Sequence, residues 1–277
     1  MKRIILFISI ILLLIPSLVF AVETLPYSTT FNCSDYNGQA PWTTCDNIQQ
    51  NGSFRTHCGQ YSVINADGNM AAGGGGKGYR MLVNDGGNQQ GDIFYVNHNC
   101  VNEIWYRMYL RWPLGFAWAD GGAGAGIVVY EKIFYPLGSF AGPTVFGFGT
   151  GNHTIGLVHG SPQQTFYNHS YGWSDMHGGD TADGNWHCLE IYMNNSAGLV
   201  KVWIDNTLVL DGTGIQYDGN FCSMRFMENQ ANPGNGGCVY IDIDDIAISA
   251  TGRIGPLGPI PPEHTIIIWS QNVGEKN

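Results

Sequence analysis

Side chains able to bind or move protons alternate along one short stretch of this chain. Residues 101–112 read Val-Asn-Glu-Ile-Trp-Tyr-Arg-Met-Tyr-Leu-Arg-Trp. Successive side chains of a β-strand point to opposite faces. Glu103, Trp105, Arg107, Tyr109 and Arg111 therefore share one face, and Ile104, Tyr106, Met108, Leu110 and Trp112 share the other. The second set reads as a core face. The first offers flat aromatic rings, guanidinium groups that pair with carboxylates, and a phenol. Its ordinary alternative is a solvated sheet face with cross-strand pairs. Comparable groups recur on later strand patterns at Lys132, Arg225, Tyr240 and Asp242, and carboxylates cluster in Asp242-Ile-Asp-Asp245.

Several other chemistries are disfavoured. No Cys-x-x-Cys or His-Glu-x-x-His spacing is present, so the usual zinc signatures are missing. The glycine tract at residues 71–78 has a lysine but no following Ser or Thr, and reads as a turn rather than a phosphate loop. The histidines are scattered, and His153, His159, His169 and His177 read as surface residues. The seven cysteines are Cys33, Cys45, Cys58, Cys100, Cys188, Cys222 and Cys238, an odd number that leaves at least one thiol free or paired between chains. Cys188 lies within a strand pattern and reads as a buried free thiol acting as a small hydrophobe. Cys222 and Cys238 flank a Gly/Asn-rich connection and form the preferred pair. Cys33, Cys45, Cys58 and Cys100 supply material for two more bridges of open connectivity.

The elements that must position these groups are strands. Alternation predicts strands at 79–83, 93–96, 101–112, 127–135, 144–148, 154–159, 186–194, 199–205, 207–210, 221–227 and 239–249. Core positions are Leu189, Ile191 and Met193, then Val200, Val202 and Ile204. Residues 194–198 and Asp205-Asn206 read as hairpin turns. Many short strands, Gly-rich turns and no convincing amphipathic helix predict an all-β fold, a two-sheet antiparallel sandwich.

The first residues read as an export signal. Lys2 and Arg3 precede an apolar run, and Val19-Phe20-Ala21 supplies small residues at −3 and −1. Cleavage after Ala21 is expected, giving a secreted, extracellular or periplasmic protein in which disulfides are allowed. No lipid-anchoring cysteine follows the site, and no later run reaches the roughly 20 apolar residues of a spanning helix. Loss of Lys2 and Arg3 takes the formal charge from −10 to −12. So acidic a chain is a poor partner for nucleic acid or heparin-like polyanions. The expected organisation is a signal at 1–21, one domain at 22–250, and a Gly/Pro-rich tail at 251–277 that carries the apolar patch Ile266-Ile-Ile-Trp269.

Longer motifs carry a resemblance. Asp183-Gly-Asn-Trp-His-Cys-Leu-Glu190, followed by Leu199-Val-Lys-Val-Trp-Ile-Asp-Asn-Thr-Leu-Val209, resembles a strand pair of the concanavalin A-like lectin/glucanase superfamily, with Asn206 in place of a turn glycine. Ile243-Asp-Asp-Ile-Ala-Ile-Ser249 resembles the closing strand of laminin-G-like and laminarinase-type jelly rolls. Residues 103–111, with Gly115-Phe-Ala-Trp118 after them, are similar to secreted polysaccharide-lyase-like members.

The resemblance, which covers about residues 25–250, implies a jelly roll with a carbohydrate ligand on its concave sheet. Combined with strand parity, it offers Trp105, Arg107, Tyr109, Lys132, Arg225, Tyr240 and Asp242 as groove residues. The expected function is binding of an extracellular polysaccharide or other glycan. The alternative is a polysaccharide lyase, in which Arg107, Tyr109, Lys132 and Tyr240 would neutralise a uronate carboxylate and transfer protons. A hydrolase is disfavoured, because laminarinase-type enzymes carry Glu-x-Asp-x-x-Glu and this chain does not. Asp244 matches an acidic ligand for a structural Ca²⁺ on the closing strand, while Asn32 stands where related domains often have an acid. Asn32, Asn51, Asn152, Asn168 and Asn194 begin glycosylation sequons.

Overall fold

A computed structural model describes residues 24–32, 49–51, 63–70, 76–83, 93–114, 129–138, 145–149, 155–159, 164–168, 183–217, 219–226 and 239–258. The expected signal, most of the expected tail, and four of the cysteines lie outside them. Strands β1 (Tyr27–Thr29), β3 (Val63–Asn65), β4 (Gly78–Val83), β6 (Glu103–Arg111), β11 (His187–Asn194), β12 (Leu199–Ile204), β13 (Thr207–Thr213) and β15 (Val239–Ser249) build one sheet, here sheet I. Its order is β13-β12-β11-β6-β15-β4-β3, with β1 also paired to β15. Strands β2 (Gln49–Asn51), β5 (Ile93–Val101), β7 (Val129–Gly138), β8 (Val145–Gly149), β9 (Ile155–His159), β10 (Gln164–Asn168) and β14 (Phe221–Phe226) build sheet II, in the order β10-β9-β8-β7-β14-β5-β2. The described pairings are antiparallel. Strands distant in sequence become neighbours, as where β6 lies between β11 and β15. The predicted two-sheet sandwich is the observed architecture.

Alternation explains why sheet I forms where it does. Ile104, Tyr106, Met108, Leu110 and Trp112 are all buried, together with Leu189, Ile191, Met193, Val200, Val202 and Ile204. Register puts Ile191 beside Tyr106 and Val202, and Met193 beside Ile104 and Val200. Val96, Phe221 and Met224 reach the same core from sheet II. Each such side chain contributes about 1.5–3 kcal/mol relative to exposure. A polar link crosses the core where His98 Nε2 meets the Tyr106 hydroxyl at 3.3 Å. Burial lowers the His98 pKa and raises that of Tyr106.

Some boundaries differ from expectation. The stretch 101–112 is not one strand, because Val101 ends β5 in sheet II and the chain changes sheet at Asn102. Strands β1, β2 and β3, of three residues each, and the mostly polar β10 are too short in alternation to be read from sequence. The preferred Cys222–Cys238 bridge is corrected: Cys222 pairs with Cys100, joining β14 to β5. Antiparallel register had already brought these strand ends together, with Phe221 opposite Val101. Cys188 is free and buried, as expected.

Candidate functional site

The expected groove residues fall on two sheets. Trp105, Arg107 and Tyr109 lie on β6 and Tyr240 and Asp242 on β15, all in sheet I. Lys132 on β7 and Arg225 on β14 lie in sheet II. No single face can present all seven.

The sheet I group is largely closed to a ligand. Arg107, Tyr109 and Asp242 are only 6, 0 and 3 % exposed. Asp242 lies between two arginines, accepting from Arg80 Nε at 2.7 Å and from Arg111 Nη2 at 2.7 Å. Arg107 donates to Asp245 at 2.6 Å. That pair sits at a β-bulge, where Asp245 has φ +47° and the β15/β6 register slips between Asp244 and Ala247. The Tyr109 hydroxyl accepts from Leu257 N at 2.7 Å. Each of these residues, expected to face a ligand, has at least one polar atom bonded within the protein. The signal that sequence reading lacked was the cross-strand match of Arg107 with Glu190 and of Asp242 with Arg80 and Arg111.

Two expected residues of sheet I keep some surface. Trp105 stacks on Tyr192, its register partner, with ring centroids 4.6 Å apart. The Tyr192 hydroxyl donates to Glu103 at 2.8 Å. Tyr240 lies under the Arg80 guanidinium at 5.0 Å, and burial raises its pKa.

The Asp-Gly-Asn-Trp-His motif proves to be a brace. Asp205 and Asn206 both take positive φ, +47° and +70°, as a two-residue primed hairpin turn between β12 and β13 requires. Asp205 accepts from His187 Nδ1 at 2.5 Å and from Cys188 N at 2.9 Å. Asp183 closes on the other ring nitrogen of His187 at 3.3 Å. Cys188 packs with Tyr109 and Trp186, and burial pushes its thiol up to about 12, against the opposing pull of a Tyr109 hydrogen bond and Arg107. So protonated a thiol is a poor nucleophile.

The oxygens of Asp244, the expected calcium ligand, accept backbone amides. Its Oδ2 accepts from Met70 N and its Oδ1 from Asp245 N, both at 2.8 Å. The Asn32 carbonyl oxygen accepts from Lys77 N. Groups aimed at these oxygens are N–H donors, and among the described residues no cluster of three acidic, His or Cys ligands occurs. This donor set fits a carboxyl capping backbone amides, not a hard cation. Burial pushes the Asp244 carboxyl up to about 7, with the two amide bonds opposing the shift.

Sheet II has a different pattern. Backbone register sets Gln49, Tyr95, Arg225 and Tyr135 in one row across β2, β5, β14 and β7. The adjacent row is Phe94, Phe226, Phe134 and Phe146. Val96 and Met224, two residues from Phe94 and Phe226, are in the core. The Tyr–Arg–Tyr row is thus out of phase, along β5 and β14, with the core positions Val96 and Met224. Lys132 sits one strand further on, opposite Gly147 and beside a register shift in β7.

No family model and no curated protein matches the chain. Among solved structures, a cellulose induced protein, Cip1, superposes with a TM-score of 0.50 at 13% identity, covering 76% of this chain and 92% of its own. Alginate lyase Aly36B gives 0.49 at 15%, covering 84% and 100%. A botulinum neurotoxin type C structure gives 0.46 at 14%, and the chain spans only 42% of that protein's length. At such identities these likenesses concern the fold and leave function to the residues of the chain itself. The chain is a two-sheet, antiparallel β-sandwich.

Proposed function

We propose that this chain is a secreted polysaccharide-binding protein whose ligand lies on the outward face of sheet II. The observation that carries the reading is the cross-strand row Tyr95–Arg225–Tyr135. Strands in a sheet lie about 4.8 Å apart, so the row sets an arginine between two phenols. Aromatic rings take the apolar faces of sugars, and a guanidinium takes hydroxyls or a uronate carboxylate. Lys132 adds a second cation on the same sheet. Sheet I supports the assignment by contrast, because its arginines are already paired with Asp242 and Asp245. The disulfide joining Cys100 to Cys222 suits an oxidising compartment. Among the described residues no helix is long and apolar enough to cross a membrane.

The same row also supports the lyase reading. β-Elimination needs a group that neutralises the uronate carboxylate and a phenol or similar group that moves protons. Arg225 and the flanking tyrosines are of those types. Incubation with alginate, glucuronan and pectate, with absorbance followed near ~235 nm for unsaturated product, separates the two. Retention on a polysaccharide column without product supports binding alone. New absorbance that disappears in Arg225→Ala supports the lyase. No retention and no product on any of these glycans overturns both.

A further inference from the structure

The chain does not leave sheet I at the end of β15. Residues 251–258, the first part of the expected tail, turn back across its outer face as a strap. Glu190, only 1 % exposed, anchors it. Its Oε2 accepts from Arg253 Nε at 2.7 Å, and its Oε1 from Ile254 N and Gly255 N at 3.0 and 2.9 Å. Leu257 N donates to the Tyr109 hydroxyl, and Arg107 Nη1 donates to Gly255 O at 3.4 Å. Arg253 also lies over the Trp203 ring at 4.4 Å and donates to Asn206.

The strap is held by polar bonds more than by buried apolar surface. Thr251, Arg253, Pro256, Leu257 and Gly258 are exposed. Beneath it the buried Nε of Arg107 has no hydrogen-bond partner. Few buried apolar contacts and one unsatisfied donor mark an element that opens at lower free energy than the core. Tyr109, which the strap caps, packs on the free thiol of Cys188.

We propose that residues 251–258 form a releasable clasp, which opens as a unit while the two-sheet core stays folded and so unmasks Glu190, Tyr109 and the Cys188 thiol. This reading stands apart from the glycan face, which lies on the other sheet. Gly255 provides a mild probe. Its φ is +73°, and an added Cβ there would meet no atom within 4 Å. Gly255→Ala therefore adds only the backbone cost of the left-handed conformation, which corresponds to about a tenfold change in an opening equilibrium.

The full-length chain is followed by hydrogen exchange of the Ile254, Gly255 and Leu257 amides. Iodoacetamide labelling of Cys188, read by peptide mass spectrometry, is followed in parallel. Both are measured in urea below the unfolding transition. The expected result is weak urea dependence, with both rates rising about tenfold in Gly255→Ala and core amides such as Ile191 and Val202 unchanged. Arg253→Ala, which removes an exposed side chain from the anchor, should raise them in the same sense. Strap amides that exchange with the urea dependence of the core would overturn the clasp, as would wild-type rates in both variants. Cys188 that stays unlabelled while the strap amides accelerate would overturn the unmasking.

Discussion

Sheets I and II carry similar residue types at strand positions out of phase with the core, and set them beside different cross-strand partners. On β6 the alternation gives Trp105, Arg107, Tyr109 and Arg111; on β14 and its neighbours, register gives Tyr95, Arg225 and Tyr135. Sheet I meets its arginines with Asp242 and Asp245 and lays the 251–258 strap over Glu190 and Tyr109. On sheet II the register partners of Arg225 are Tyr95 and Tyr135. A charged residue on a strand is therefore a binding candidate only when the facing strands leave its charge unmatched. Identity and alternation along one strand do not carry that information; the cross-strand partner does.

Three perturbations sharpen this contrast. The largest effect is expected at Asp242, whose carboxylate is buried between Arg80 and Arg111. Asp242→Ala should cost about 3 kcal/mol of stability in urea unfolding, because it leaves partly buried arginines without their counterion. Polysaccharide retention should survive it below the transition. A loss of retention at unchanged stability would break the contrast by moving the ligand to sheet I.

Tyr109→Phe is next. It removes the acceptor of Leu257 N and the hydroxyl beside Cys188. The expected loss is about 1 kcal/mol, with retention unaltered. A stability equal to that of the parent would show that the strap bond contributes nothing.

The smallest effects concern Asp244. Burial pushes its carboxyl up to about 7, above the ordinary 3.8, so the folded state binds the proton more tightly. Its stabilising contribution is complete below about pH 3.8 and is lost as pH rises through about 7. Asp244→Asn should therefore flatten the decline in stability between about pH 4 and 7. An unchanged pH difference would show that this carboxyl does not control it. EDTA should leave the melting temperature of the parent unchanged, since the Asp244 oxygens already accept backbone amides. A drop in EDTA would support the calcium reading.

Much of the fold was legible because apolar alternation is a local signal. The core faces of β6, β11 and β12 followed from Ile104 to Trp112, from Leu189 to Met193 and from Val200 to Ile204. The Asp205-Asn206 turn followed from residues that tolerate positive φ. The closure of Arg107 and Tyr109 was not legible, because it depends on Asp245, Gly255 and Leu257, more than a hundred residues away. The Cys100–Cys222 bridge, at a separation of 122 residues, was hidden for the same reason. Arg225 was visible as a candidate, but its flanking tyrosines emerge only from register.

The central claim is that the glycan face belongs to sheet II. The direct test is retention of the parent, Arg225→Ala and Trp105→Ala on the same alginate or pectate column, with unfolding midpoints measured alongside. Loss of one charged hydrogen-bonding group corresponds to a roughly ten- to hundredfold fall in affinity. The account predicts that fall for Arg225→Ala and parental retention for Trp105→Ala. Retention lost in Trp105→Ala and kept in Arg225→Ala, with both variants folded, would contradict it.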